Sequence, residues 1–308
     1  MPANAPNKHH YLPVFYLARW TGETGRLIRY YRPHQAVVAS PITPLNTGFE
    51  DGLYSLDGVA PEQRQVVETQ FMAPGVDSPA AVTLKKMLSG GLRDLTGDER
   101  VEFTRFVLSL EHRGPQSLRE MEALAGDVIR QNLDVADDEE YRKLRKPEDP
   151  ETLHEWATEN FPEMLANSHK RWLPRIIDNT DVGQHVVNMP WAVINVSGSK
   201  HSLLTADRPL YRELGLDNPQ AIWALPLSPT HLFAAANTEQ TLRSLAAAKP
   251  DAVVRFMNDA LMRYAVHFAY GDSPRHLAFV ERRLRHLGDP IQPGIAARIR
   301  AGEGADPV

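Results

Sequence analysis

The sequence predicts an α+β fold: a helix-rich single domain with a small, mainly antiparallel sheet. Short segments of β-type composition occur near the start of the chain and again within residues 191–236, and Pro, Gly and Asn separate them. The long stretch between these two regions carries apolar residues at helical spacing. The resulting order of strands, helices, strands and helices lacks the regular alternation of a doubly wound sheet.

The N-terminal part of the chain predicts one short helix and several strands. Pro13 suits the first turn of a helix within residues 11–20, because the start of a helix does not use the amide hydrogen that proline lacks. Composition then predicts short strands over residues 26–32, 37–38 and 53–56. Pro and Gly between these strands mark the turns.

The middle of the chain is predicted to be helical. Helices are expected over residues 66–71 and 80–88. Thr96 and Glu99 form a capping box, in which the Thr hydroxyl caps the helix start and the Glu side chain reaches back to the Thr amide. The apolar stripe that follows predicts a helix that ends near His112.

The remainder of the chain combines helices with a second group of strands. Further helices are expected over residues 116–133 and within 153–176, and the charged run 137–151 between them predicts a solvated connector. Short strands joined by turns favour an antiparallel meander, which the N-terminal strands can join. The predicted elements are strands over 191–196, 202–205, 221–225 and 232–236, and helices over 238–248, 251–269 and 274–287.

Length and composition describe an ordinary globular chain. It has 308 residues, of which 42% are hydrophobic and 24% are charged, so a folded protein is expected. The single α+β domain is assigned to residues 8–288. Residues 1–7 and 289–308 are rich in Pro, Gly and Ala, and we expect them to be flexible termini.

Several classes of protein are disfavoured by what the sequence lacks. The absence of cysteine excludes a disulfide framework, a thiolate nucleophile and a sulfur-based zinc site. A net charge of -5 offers no general attraction to nucleic acid or to an anionic membrane. No secretory signal or membrane-length apolar run is present, so we expect a cytoplasmic protein. The P-loop, Rossmann, zincin and α/β-hydrolase signatures are also absent.

Two of four polar motifs lie in the first quarter of the chain. His9 and His10 precede the predicted short helix, whose dipole favours a neutral imidazole that can act as a base or a metal ligand. Alternatively, one of them bonds to the backbone and the other faces water. Glu68 lies among apolar residues with Asp77 nine residues on, and it is either buried and paired or part of a polar helix face.

The other two motifs contain Arg113 and Asp207. Arg113 follows the strongest amphipathic helix, where a guanidinium can interact with the last helical carbonyls or bind a carboxylate or phosphate in a cleft. Asp207 ends a predicted strand beside a turn with Pro. That position suits a metal ligand or a base, and it equally suits an Asx turn.

These motifs resemble a large, mostly bacterial family known only as a domain of unknown function. The opening His-His-Tyr-Leu-Pro-Val-Phe-Tyr-Leu, the Arg-Gly-Pro, the Thr-Ala-Asp-Arg-Pro turn and the later Pro-Leu-Ser-Pro carry the resemblance. It spans about residue 8 to about residue 285 and implies a shared fold without an established activity. Arg208 stands where the family often has Asn, and Asp77 aligns only loosely with a second Glu.

The first functional hypothesis is a metal-dependent hydrolase of phosphoester bonds, including those of nucleic acid. Glu68 and Asp207 would hold a divalent metal. Of the candidate bases His9 and His10, His10 would activate water, and Arg113 would stabilise developing charge. The alternative is a non-catalytic ligand- or partner-binding regulatory module, in which the same residues are structural ties. A third hypothesis, nucleic-acid binding, is disfavoured by the acidic net charge. It would use Arg275, Arg282, Arg283 and Arg285.

Overall fold

The described part of the chain is α+β and helix-rich, with small antiparallel sheets, as the sequence predicts. The computed structural model describes residues 7–135, 138–212, 214–286 and 289. The expected flexible termini, residues 1–7 and 289–308, lie outside these ranges except for their innermost residues. No helix within the described ranges is long and apolar enough to cross a membrane.

The strands of the described residues form three sheets, and each of their pairings is antiparallel. The described strands are β1 (Lys8–His10), β2 (Leu27–Tyr31), β3 (Val38–Ile42), β4 (Phe49–Asp51), β5 (Trp191–Asn195), β6 (Thr205–Ala206), β7 (Tyr211–Arg212), β8 (Ile222–Ser228), β9 (His231–Ala236) and β10 (Phe268–Gly271). The sheet orders are β1-β4, β3-β2-β10-β6 and β5-β9-β8-β7. Of the N-terminal strands, β2 and β3 therefore share a sheet with the later strands β10 and β6, whereas β1 and β4 pair with each other.

Helices fill most of the chain between the two groups of strands. The described α-helices are α1 (Val14–Leu17), α2 (Ser78–Gly90), α3 (Gly97–His112), α4 (Pro115–Val135), α5 (Asp138–Leu144), α6 (Leu153–Asn160), α7 (Pro162–Ala166), α8 (Ser168–Ile177), α9 (Thr180–Asn188), α10 (Glu239–Ala246), α11 (Pro250–Tyr264) and α12 (Leu277–Glu281). A π-helix (Val67–Asp77) leads directly into α2. Short 3-10 helices cover Ala18–Trp20, Pro44–Asn46 and Pro274–His276.

Strand β9 lies between two hydrophobic cores. Phe233 and Ala235 belong to the core that α2, α3 and the N-terminal segment share. Leu232 and Ala234 belong to the core beneath α11. Because successive side chains of a strand point to opposite faces, one buried strand contributes to both cores.

The predicted capping box is confirmed at the start of α3. The Glu99 amide donates to the Thr96 hydroxyl at 3.2 Å, and the Thr96 amide donates to a Glu99 carboxylate oxygen at 2.9 Å. The helix ends at His112, as its apolar stripe predicts. The position of Arg113, immediately after this helix, is thus determined by local sequence.

The strand predicted over residues 53–56 is wrong. These residues leave the end of β4 through a turn in which the Ser55 amide donates to the Gly52 carbonyl at 2.8 Å. Gly52 has a φ of 67°, a conformation that glycine adopts without steric cost. The turn directs Tyr54 into the core, where it is fully buried.

The charged run 137–151 contains a helix that the sequence did not indicate, and distant pairing overturns one further prediction. Residues 142–148 of the run are exposed, as expected of a solvated connector, and its Glu, Arg, Lys and Leu residues favour the helix α5. The helix predicted over 251–269 ends at Tyr264, and residues 268–271 form a strand instead. That strand is paired on both sides, with β2 and with β6, and these pairings outweigh local preference.

Candidate functional site

The π-helix and the end of α3 bring three charged residues together. Glu68 lies in the first turn of the π-helix and Asp77 is its last residue. Pro74 lies inside this helix. Because proline has no amide hydrogen, it cannot donate the backbone hydrogen bond that an α-helix would need at this position. π-helical turns are rare and frequently occur at functional sites, and this one extends over 11 residues. Arg113 approaches from the end of α3.

Arg113 and Asp77 form a bidentate ion pair at the base of this group. The guanidinium Nη1 lies 2.6 Å from Asp77 Oδ1, and Nη2 lies 3.0 Å from Oδ2. The Arg113 side chain is 1% exposed and that of Asp77 is 20% exposed. Burial alone would lower the pKa of Arg113, but the Asp77 carboxylate overrides that effect and raises it. Arg113 is therefore a permanent buried cation.

The second nitrogen of this guanidinium also fixes the N-terminal segment. Arg113 Nη2 donates to the main-chain carbonyl of His10 at 2.8 Å. The Arg113 carbonyl in turn accepts a hydrogen bond from the Tyr54 hydroxyl at 2.8 Å. Of the two roles predicted for Arg113, carboxylate binding is the one observed. The carboxylate belongs to the protein itself, which sequence spacing did not indicate.

Glu68 is a half-buried carboxyl group with an unsatisfied oxygen. Its Oε2 atom is buried and has no hydrogen-bond partner. Burial raises the pKa of Glu68 to about 7, against the lowering effect of Arg113 and with a small further increase from Asp77. Near neutral pH both the acid and the carboxylate forms of Glu68 are therefore populated.

The His10 ring has a buried nitrogen without a hydrogen-bond partner. Burial lowers the pKa of His10, a hydrogen bond to the Leu45 carbonyl opposes this effect, and the Arg113 charge lowers the pKa further. The Nε2 atom is buried without a partner, so the ring uses Nδ1–H for Leu45 and keeps a lone pair on Nε2. The ring is neutral, as predicted, but because of burial rather than a helix dipole.

We call His10, Glu68, Asp77 and Arg113 the acid–base cluster. The charge of Arg113 acts on both Glu68 and His10, so the four residues form one electrostatic unit. Three of its buried polar atoms, His10 Nε2, Glu68 Oε2 and Arg113 Nε, have no partner. A neutral imidazole and a carboxyl group that holds a proton near pH 7 can accept and donate protons.

His9 lies outside this cluster and ties the N-terminus to the following turn. It is fully buried, and its ring stacks on Tyr54 with centroids 5.3 Å apart and planes at 9°. Nδ1 accepts a hydrogen bond from the Tyr54 amide at 2.8 Å, so Nε2 carries the proton and donates to Gln65 Oε1 at 2.6 Å. Both nitrogens are engaged, which matches the structural alternative for one of the two histidines.

Asp207 anchors the segment that enters β10. Its Oδ1 accepts a hydrogen bond from the Val266 amide at 2.8 Å. Its Oδ2 accepts from the amides of His267, at 2.5 Å, and Phe268, at 3.0 Å. Burial raises the pKa of Asp207, and these three backbone bonds oppose the increase. The Asp thus makes long-range bonds rather than the local Asx turn considered from sequence.

The structure supplies no contact that joins Asp207 to Glu68, the two residues predicted to share a metal. Within the described ranges, no group of three or more His, Asp or Glu side chains is placed to hold a metal ion. The residue that sequence analysis undervalued is Asp77, which was considered only as a partner for Glu68. The sequence feature that could have drawn attention to Asp77 is the Pro74-Gly75 pair, because such a pair inside a helical segment indicates an irregular helix.

The comparisons with known proteins agree with the resemblance predicted from the motifs. No curated protein and no solved structure matches the chain. One family model matches residues 8–275, which include the acid–base cluster, His9 and Asp207. The chain belongs to the family described as Protein of unknown function (DUF4238).

Proposed function

We propose that the protein is a hydrolase whose active site is the acid–base cluster. The supporting observation is that three buried polar atoms of this one cluster have no partner. Each unsatisfied buried group costs about 1–3 kcal/mol, so a purely structural cluster would be expected to lose them. Such atoms are explained when a substrate or a water molecule completes their hydrogen bonds.

The proposed reaction uses the two protonation states that the cluster favours. His10 Nε2 accepts a proton from water while the water oxygen forms a bond to the substrate. Neutral Glu68 donates its proton to the leaving-group oxygen as the bond to that oxygen breaks. The proton then passes from His10 back to Glu68 through solvent. Arg113 positions His10 by holding its carbonyl, and each proton-transfer group contributes about 10²–10⁴ in rate.

Phosphoesters, the substrate class that the sequence suggests, require additional positive charge. The charge of Arg113 is balanced by Asp77, so an anionic phosphoester would need a further cation in the site. A divalent metal is one such cation, held by His10 Nε2, by Glu68 and by the phosphate oxygens of the substrate. In this variant of the proposal Glu68 is a ligand and its proton is displaced. An uncharged ester needs no metal.

The test is hydrolysis of bis-p-nitrophenyl phosphate and p-nitrophenyl acetate, with and without Mn²⁺. Wild type is expected to hydrolyse at least one of them, and His10→Gln and Glu68→Gln are each expected to lose about 100-fold or more. His34→Gln is the control, because His34 is exposed and lies outside the acid–base cluster. Activity that survives in both cluster variants would refute the proposal. A requirement for Mn²⁺ with the phosphodiester selects the metal-dependent variant.

The second candidate function is a non-catalytic ligand-binding or regulatory module. It is favoured by His9 and Asp207, whose side chains make structural hydrogen bonds. In such a module His10 Nε2 and Glu68 Oε2 would contact a ligand that is not transformed. Stability measurements alone do not separate the two functions, because His9 and Asp207 variants lose stability in either case. Turnover lost without loss of stability indicates the hydrolase.

A further inference from the structure

A cationic cavity lies apart from the residues of the acid–base cluster. Its volume is about 450 Å³, within the range of small-molecule sites. The segment before β6, helix α11 and the start of the C-terminal helical turns enclose it. Five of the side chains that line it are cations: Lys200, Arg255, Arg275, Arg282 and Arg283. Asp251 is the single carboxylate in the lining.

The positive charge of this cavity is only partly balanced. Arg283 bonds to Asp259 at 2.5 Å, and Arg275 lies 3.6 Å from Asp272. In the portion of the chain that the structure describes, Lys200, Arg255 and Arg282 have no ion pair. All three are exposed at the mouth of the cavity.

Asp251 offsets only part of the charge of these three cations, and its carboxylate interacts electrostatically with Lys200. One of its oxygens, Oδ1, accepts hydrogen bonds from the Ser199 hydroxyl at 2.7 Å and from the Lys200 amide at 2.9 Å. These bonds fix the loop that carries Lys200. The cavity is therefore a local concentration of positive charge in a protein whose net charge is -5.

Buried polar residues form the floor of the cavity: Asn258 and His276 line it, and Ser202 lies behind them. Ser202 Oγ accepts a hydrogen bond from Arg275 Nη2 at 2.8 Å and donates to Asp272 Oδ1 at 2.7 Å. Asn258, which is also buried, donates to the Ser202 carbonyl at 3.0 Å. These bonds hold the Arg275 guanidinium in place before any ligand arrives. Preorganised donors of this kind reduce the entropy lost on binding.

His276 completes this floor as a neutral imidazole. Its Nε2 accepts a hydrogen bond from Arg275 Nε at 3.2 Å. Burial, and then the charge of Arg275, lower the pKa of His276 to about 4. The positive charge that the arginines and Lys200 supply to the cavity therefore does not depend on protonation of His276.

We propose that this cavity binds a small organic phosphate. Arg255, Arg282 and Lys200 donate charge-assisted hydrogen bonds to the phosphate oxygens. Val254 and Phe279 supply apolar contact for the organic part. Three of the arginines considered for nucleic-acid binding, Arg275, Arg282 and Arg283, line this cavity. Their confinement to one concave site fits a small anion better than a polynucleotide, which requires an extended basic surface.

The experiment is isothermal titration of the full chain with ADP at 50 and 300 mM NaCl. Binding is expected, and it is expected to weaken at the higher salt concentration because the contacts are ionic. Arg255→Gln and Arg282→Gln should each weaken binding by about tenfold, since each removes a charge-assisted hydrogen bond. Arg243→Gln is the control, because this arginine is 79% exposed, lies in α10 and does not line the cavity. It should bind as wild type does.

The proposal also predicts the order of affinities among related probes. Adenosine should bind at least tenfold more weakly than ADP, because the phosphates carry the recognition. ADP that fails to bind, or that binds the two arginine variants like wild type, would overturn the proposal. A 12-nucleotide oligothymidylate that binds more tightly than ADP, and loses affinity in Arg282→Gln, would overturn it in favour of a polynucleotide site. Unchanged thermal unfolding of the variants confirms that they are folded.

Discussion

Arg113 donates to Asp77 Oδ1 through Nη1 and to Asp77 Oδ2 through Nη2, and Nη2 also donates to the carbonyl of His10. One guanidinium therefore joins the end of α3, the end of the π-helix and the N-terminal strand β1. Its planar fork of donors suits this task, because an ammonium group cannot hold a carboxylate bidentately. The positions of His10 and Asp77 in the acid–base cluster depend on this single buried cation.

Asp77→Asn is expected to lower the free energy of unfolding by about 3 kcal/mol, because it leaves Arg113 buried without a counter-charge. Urea denaturation monitored by tryptophan fluorescence measures the loss. Asp178→Asn is the control, since the Asp178 carboxylate and its partner Arg105 are both substantially exposed and such pairs contribute about 0–1 kcal/mol. Equal effects of the two substitutions would contradict the structural role of Arg113.

Glu68 is expected to make stability fall as pH rises through neutrality. Its pKa is about 7 in the folded protein and near 4.5 when exposed, so the folded state binds more protons between these values. The unfolding free energy therefore decreases with pH in this window, by up to about 3 kcal/mol in total.

The measurement for Glu68 is the urea midpoint between pH 6.5 and 8, for wild type beside Glu68→Gln. The histidines whose pKa is lowered in the folded protein, including His10, are still partly protonated in the unfolded chain near pH 6.5, so they raise stability with pH in wild type and variant alike. The difference in unfolding free energy, wild type minus Glu68→Gln, should therefore decrease as pH rises across this range. Glu62→Gln, which removes an exposed carboxylate from the preceding turn, should behave as wild type. Identical slopes in all three proteins would argue against a raised pKa.

A hydrolase that uses His10 as base and Glu68 as acid should show a bell-shaped pH profile of kcat/KM. The rate should rise as His10 loses its proton below pH 6.5 and fall as Glu68 loses its proton near pH 7. Glu68→Gln should retain the low-pH limb and lose the high-pH limb. A profile with the same limbs in wild type and variant would assign the acid to another residue.

Asp207→Asn is expected to lower stability by about 1–3 kcal/mol, because an amide side chain cannot accept all three backbone hydrogen bonds. Thermal unfolding with and without Mn²⁺ measures this loss and any metal effect together. Asp217→Asn, at an exposed carboxylate, is the control. We expect the metal response of Asp207→Asn to equal that of wild type. A metal-induced shift that disappears only in Asp207→Asn would restore Asp207 as a ligand.

Sequence reasoning found the elements whose signals are local. The Thr96 capping box and the apolar stripe of α3 lie within one stretch of chain, and the structure confirms both. It failed where distant partners decide the outcome. Strand β10 depends on β2 and β6. The segment predicted as a helix over 66–71 lies, from Val67 onward, in a π-helix, although the spacing of side chains indicates only a helix.

The candidate site was predicted in part for the same reason. His10 and Glu68 were selected by residue type and neighbourhood, and the structure places both beside Arg113. The partner of Arg113 could not be deduced, because Asp77 lies 36 positions earlier in the chain. Asp207 likewise bonds to the Val266 amide, 59 positions later in the chain. No feature of the sequence near Asp207 therefore indicated its structural role.

The central place of β10 has a consequence for synthesis on the ribosome. Strand β2 can pair with β3 as soon as both are synthesised, but its other edge stays unpaired until Phe268–Gly271, far later in the chain, has been made. An unpaired strand edge is a site at which nascent chains associate wrongly. The sheet therefore closes as a late event, and a ribosome that stalls before residue 268 leaves a hairpin with an open edge.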